Sequence, residues 1–177
     1  MSTAELQRVL DLQDIAYLKA RYCRCIDLQQ WETLRTLFTT EAQFEGFPKA
    51  PDASGVEGFC SGVAGRLKGA VTAHHLHQPD IQLTGPDTAR GVWAMQDYNE
   101  WPHAIGVPGS PQAVGFRGYG FYEEEYRRVD GAWKICFMRL TRLRLDPLFP
   151  DAGRPFPATA NAAWLRPSAG WMPRRLS

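Results

Sequence analysis

The chain has no run of about 18 apolar residues, so nothing in it is long enough to cross a bilayer as a helix. A leader-like stretch is missing too. Glu5, Arg8, Asp11 and Asp14 interrupt the first fourteen residues, and no signal peptide is expected. Charge of neither sign dominates. The 20 Lys and Arg residues face 19 Asp and Glu, and a net charge of +1 leaves no general attraction to nucleic acid or an anionic membrane. Cysteine is scarce, with Cys23, Cys25, Cys60 and Cys136 only. The 23/25 pair has no second pair or Cys/His cluster to complete a zinc site. Buried free thiols are expected instead, which suits a reducing cytoplasm. There is no internal repeat and no Rossmann or P-loop glycine fingerprint.

What is present is an ordinary globular composition, 44% hydrophobic and 22% charged over 177 residues. One domain is expected, and a chain of this length buries roughly 70% of its unfolded surface without a disulfide or metal staple. Ser2-Thr3-Ala4-Glu5 has the form of a helix start, and Leu12, Ile15, Leu18, Tyr22 and Ile26 recur at helical spacing. A helix over residues 4–29 follows, then a short one over 31–38, a strand over 39–47, a loop over 48–54 and a glycine-weakened helix over 55–67. Four strands then run over 71–84, 88–101, 115–129 and 132–146. Asp130-Gly131 is a hairpin signal between the last two. Helices followed by strands imply an α+β fold with helices on one face of an antiparallel sheet.

The domain is expected to occupy residues 1–146, with a proline-rich tail over 147–177. Six prolines argue against regular structure there. Phe149, Phe156, Trp164 and Trp171 are costly to leave in water, so the tail is expected to pack on its own or a neighbouring subunit.

Four groups can carry chemistry. Asp27 ends the long helix, where the macrodipole disfavours an acid. It is either a solvated end residue or a functional carboxylate, and Tyr22 five residues earlier is either core or its companion. His74-His75-Leu76-His77 opens a strand in which alternation pairs His75 with His77. No metal site is expected there, and surface histidines are the alternative for most of the run. Asp97 shares a strand face with Trp93 and Met95, so it is paired, perturbed or at a wet strand end. Arg139, Arg142 and Arg144 are either ion-paired to Glu123–Glu125 or supply one pocket arginine. Gly118 and Gly120 alternate with Tyr119 and Phe121 and clear one sheet face for a helix or a ligand.

These segments together resemble the SnoaL-like branch of the nuclear-transport-factor-2-like superfamily across residues 8–146. The resemblance is carried by the stretch from Ile15 to Asp27, by Trp31 to Phe38, by His74 to Ile81, by Ala89 to Asp97, and by Tyr122 to Ile135 with Arg142. It implies a cone-shaped domain, with N-terminal helices on the concave face of a strongly bent antiparallel sheet. The family enzymes include scytalone dehydratase and bile acid 7α-dehydratase, and the closest motif match is to bile-acid-dehydratase-like members. It implies Tyr22, Asp27, His74 and Arg142 as catalytic residues, with Trp93, Met95, Asp97, Tyr119 and Phe121 lining the substrate site. It also implies a reaction without cofactor. Strand alternation alone would aim His75 and His77, not His74, to the side of Ile81 and Leu83. A bulge near Pro79 would reconcile the two.

The expected activity is that of a cofactor-independent lyase or isomerase of the dehydratase type. Its substrate would be a hydrophobic ring ketone, steroid or aromatic polyketide. The alternative is a non-catalytic binding or assembly module, like the small subunit of ring-hydroxylating dioxygenases. A His74–Asp27 hydrogen bond inside an enclosed cavity favours the enzyme; side chains more than about 5 Å apart, beyond hydrogen-bond reach, favour the module. A homo-oligomer, trimer or dimer, is also expected, because large apolar groups occupy both faces of the sheet.

Overall fold

The computed structural model describes residues 2–47, 55–151 and 153. It contains helices α1 (Thr3–Asp27), α2 (Trp31–Arg35) and α3 (Gly55–Arg66). The strands are β1 (Phe38–Glu45), β2 (Val71–Leu83), β3 (Thr88–Glu100), β4 (Gly115–Val129) and β5 (Ala132–Leu148). They form one sheet in the order β1-β5-β4-β3-β2.

α1 starts where the sequence offers a cap. Glu5 N donates to Ser2 Oγ at 3.2 Å, and Ser2 N donates to the Glu5 carboxylate at 2.6 Å. Each satisfies an otherwise orphaned donor of the first turn. Ile15, Leu18, Tyr22 and Ile26 form the buried stripe. α2 is shorter than the expected 31–38. The Thr36 hydroxyl donates to the Thr33 carbonyl at 2.7 Å, and Phe38 already pairs with Ile135 as the start of β1. The sheet captures the chain before a further helical turn forms.

β2 to β5 are antiparallel neighbours, joined by tight turns or a longer loop. Asp130 and Gly131 have φ of 50° and 78°, the left-handed pair that a two-residue hairpin requires. The sheet is not antiparallel throughout, because β1 runs parallel to β5 at one edge. No hairpin joins those two strands, so the chain reaches β5 only after α3 and the other three strands. β5 also runs past the expected boundary at 146. Pro147 pairs with Phe116 where β5 has lost its β1 neighbour, a position that tolerates proline.

The inward face holds one apolar core. Trp93, Met95, Tyr122, Tyr126, Ile135 and Met138 of the sheet pack against the α1 stripe and Phe59 of α3. The apolar residues expected on both faces sort unevenly: Tyr119 and Phe121 lie on the outer face with the exposed Val92, and the other large groups point inward. Cys23, Cys25 and Cys60 are buried, and all four thiols are free. Cys136 is half-buried, at a bulge where Glu125 pairs with Phe137 and Tyr126 with Ile135. No helix among the described residues is long and apolar enough to cross a membrane. The loop at 48–54 and the tail aromatics Phe156, Trp164 and Trp171 lie outside the described residues. Phe149 is described and is half-exposed.

Candidate active site

Asp27 is the last residue of α1, and three donors converge on it. Thr72 Oγ1 donates at 2.8 Å and the His74 backbone N–H at 2.9 Å, while His74 Nδ1 lies 2.7 Å from Asp27 Oδ1. Burial alone would raise this carboxyl, but the hydrogen bonds from His74 and Thr72 outweigh it and hold Asp27 below the usual range. The same bonds offset the unfavourable helix dipole. They also fix the tautomer: a carboxylate on Nδ1 keeps the proton there and leaves Nε2 free.

His74 faces inward because β2 carries a bulge. Leu76 pairs with Met95 and Pro79 with Trp93, so His77 and Gln78 together oppose Ala94. The extra residue moves the phase by one. His74 and Leu76 then share the inner face with Ile81 and Leu83, while His75 and His77 are exposed.

Directly across from His74, β3 presents Asp97. Its carboxylate is 1% exposed and takes a two-pronged contact from Arg142, with Nη1 to Oδ1 at 2.8 Å and Nη2 to Oδ2 at 2.6 Å. Burial disfavours the Arg142 charge, yet the Asp97 partnership keeps its pKa above the ordinary arginine value. Asp97 Oδ2 lies 3.9 Å from His74 Nε2. The His74 ring therefore lies between two carboxylates, with Asp27 at Nδ1 and Asp97 on the Nε2 side. Of the three arginines considered in β5, Arg139 pairs with Glu123 and Glu45, and Arg144 with Asp146. Arg142 alone of the three joins the cluster.

Gly118 is what lets the fork form. It pairs with Asp97, and a β-carbon there would collide with Arg142 Nη1 and Asp97 Oδ1. A bulge between Tyr119 and Gly120 then sets Arg142 opposite Gly120 and leaves Leu143 exposed.

Tyr22 points to β4 rather than β2, as its angular offset from Asp27 requires. Its ring meets Tyr122 and Phe38 edge-on at 5.8 and 6.2 Å. Burial, then the nearby Tyr122, pushes the Tyr22 phenol well above its usual pKa, so it stays protonated and donates. Trp93 and Met95 line the same inner face, and Met95 Sδ lies 3.7 Å from Arg142 Nη1. Tyr119 and Phe121 are not brought to the cluster. Their register partners are the outward Gln96 and Ala94, because the glycines, not the aromatics, take the inward positions.

Sequence reasoning missed a second buried network. Lys19 and Glu124, both fully buried, form an ion pair. Tyr126 donates to Glu124, and Trp93 Nε1 donates to the Tyr126 hydroxyl at 2.7 Å. The Lys19 ammonium also lies 4.0 Å from the Tyr22 ring centre and 3.5 Å from that of Tyr122. The signal was available: Lys19 is four residues from Ile15, on the apolar stripe. Asn99, the next inward residue after Asp97, was missed as well. Its Nδ2 is buried with no hydrogen-bond partner among the described residues. No group of three or more His, Cys, Asp or Glu among the described residues is placed to hold a metal ion.

A SnoaL-like domain model matches residues 7–139. The chain belongs to the SnoaL-like family. A probable cyclase of Gibberella zeae is 25% identical over 138 residues, covering 71% of this chain and 86% of the relative. Among solved structures, the fold is similar to a putative scytalone dehydratase of Novosphingobium aromaticivorans. That likeness has a TM-score of 0.66 at 18% identity and covers 86% of this chain and 97% of that one. A type 2 hexachlorocyclohexane dehydrochlorinase gives a TM-score of 0.67 at 20% identity over 88% and 98% of the two chains. The SnoaL-like chain thus has a cone-type α+β fold in common with both.

Proposed function

We propose that this protein is a cofactor-independent lyase or isomerase of the dehydratase type, acting on a hydrophobic cyclic small molecule. The observation that carries the reading is the 2.7 Å Asp27–His74 contact beside the Arg142–Asp97 fork. A solvated helix-end acid and a surface histidine would have no reason to meet. A separation beyond hydrogen-bond reach would have favoured the binding-module reading.

His74 Nε2 removes a proton from the carbon next to a carbonyl. The C–H electron pair becomes the new C=C bond, and the carbonyl oxygen becomes an enolate. Asp27 and Asp97 flank the imidazolium that forms. Arg142 spends two N–H groups on Asp97 and directs a third at Met95 Sδ, and the remaining two can hold the enolate oxygen. In a dehydration the enolate collapses and expels the β-hydroxyl, which takes the Tyr22 proton and leaves as water. The imidazolium proton then restores the phenol. In an isomerisation the imidazolium returns its proton to a different carbon.

The test is a panel of cyclic β-hydroxyketones, including steroid ketols, followed by enone absorbance and by α-deuterium exchange. His74→Ala should lower turnover by roughly 10²–10⁴-fold. Arg142→Gln should lower it by about 10²–10³-fold. Wild-type turnover in His74→Ala would overturn the reading. We also infer a homo-oligomer, supported by Val92, Tyr119 and Phe121 on the outer face. A clean 19.9 kDa species in light scattering of the full chain would refute it.

A further inference from the structure

The inner face of β3 continues in one line away from His74. Asp97, Asn99 and Trp101 take successive inward positions, and Trp101 N donates to the Val114 carbonyl at 2.8 Å, extending the ladder just past β3. Aromatic groups pave this line. The Arg142 guanidinium lies 5.6 Å from the Phe116 ring centre, and Phe116 and Trp101 are 6.2 Å apart. The Arg66 guanidinium then lies 5.6 Å from the Trp101 ring. Two cations thus bracket one aromatic pair. The indole is fixed from below, where Trp101 Nε1 donates to the Arg66 carbonyl at 3.2 Å.

At the far end lies a cavity of about 430 Å³, lined by Arg66, Lys68, His103, Trp101 and Ile105 among others. No carboxylate among the described residues lines it. Among the described residues, none of its three basic side chains is ion-paired. That contrasts with most of the arginines of the sheet. Arg90, Arg127, Arg128, Arg139, Arg142 and Arg144 each have an acid. The last turn of a helix favours a cation, which accounts for Arg66 but not for Lys68 or His103. Midway along the line, Asn99 Nδ2 has no hydrogen-bond partner among the described residues, and its two N–H groups are left over on an otherwise apolar path.

We propose that this cavity is the far end of the substrate site and binds an anionic group, a carboxylate or a phosphate ester, carried by an apolar substrate. The assignment rests on the lyase reading, which puts the reacting carbon at His74. Trp101 is four residue steps beyond Asp97, so the anion lies roughly 13 Å from the reacting centre. The apolar body lies over Phe116 and Trp101, with a hydroxyl or carbonyl of that body facing Asn99.

The test uses isothermal titration with naphthalene-2-carboxylate, its neutral methyl ester and 2-naphthyl phosphate. The wild type should bind one or both anions about tenfold more tightly than the ester, and that preference should shrink between 50 and 500 mM salt. Whichever anion wins identifies the source of the charge. Arg66→Gln/Lys68→Gln should remove most of the preference; both side chains are exposed, so the fold is not at risk. Equal binding of acid, phosphate and ester, or a preference that survives the double substitution, overturns the subsite. His74→Ala separates the two ideas. Anion preference retained with turnover lost supports both. Turnover lost in His74→Ala without any anion preference in the wild type sinks the subsite alone. Preference retained with turnover unchanged sinks the lyase reading on which the substrate assignment depends.

Discussion

Arg142 reaches Asp97 across the one point of β4 where Gly118 provides no side chain. The fork and the glycine are therefore a single feature, and replacing either should disturb the other.

Gly118→Ala should separate the pair and leave Asp97, 1% exposed, without its cation. Breaking a buried pair costs about 3–5 kcal/mol. Urea unfolding should show a loss near the lower end, because Arg142 can relax toward solvent. In an Asp97→Asn/Arg142→Met background the same substitution should cost clearly less. Equal losses in both backgrounds would mean that the clash is with backbone, not with the fork.

Lys19→Met should destabilise by about 3 kcal/mol or more, since it strands Glu124 in the core. Adding Glu124→Gln should recover much of that loss, because a neutral amide can still accept from Tyr126. A thermal-melt cycle of the two single variants and the double variant measures the coupling. Additive losses would show that the charges do not depend on each other.

Asp27 supplies a pH dependence of known sign. Its folded pKa is below the ordinary 3.8, so its stabilisation is present above that value and is lost as pH falls through the lower folded pKa. Asp27→Asn should be less stable than wild type at pH 6, and the gap should narrow by pH 3. Denaturant midpoints at the two pH values check this. A gap that stays constant would remove the ionised carboxylate from the account.

The thiols give a simpler test. Burial pushes Cys23 up to about 12 and Cys60 up to about 11. The thiolate is the reactive form. Native protein at pH 8 should therefore resist iodoacetamide at both positions for hours, while denatured protein reacts at all four cysteines. Mass spectrometry of the alkylated chain reads this directly.

The order and type of the elements were legible because their periodicities are clean. The 3.6-residue stripe of α1, the Asp-Gly hairpin and the alternation in β3 each follow from local sequence. What was not legible depends on partners far along the chain. Nothing local tells Phe38 to join Ile135 in parallel. Nothing local tells which face of β4 its glycines take, and Tyr119 and Phe121 were placed on the wrong side for that reason. Asp27, His74, Asp97 and Arg142 were readable as candidates, but from four separate segments. Their meeting is a property of register, and spacing alone pointed to His75 and His77.

The bulge at His77-Gln78 makes residue count itself a determinant of chemistry. Upstream of it, each side chain's face is set by one surplus residue. Were β2 to pair in unbroken register from Pro79 with both residues kept, every reactive side chain would remain in the sequence, yet His75 would meet Asp97 while the helix end still held out Asp27 for His74. Deleting one residue of that pair would instead absorb the bulge and leave Leu76 on Met95 and His74 on Asp97. A frame of this kind tolerates the loss of its surplus residue, but not a slip that pairs it.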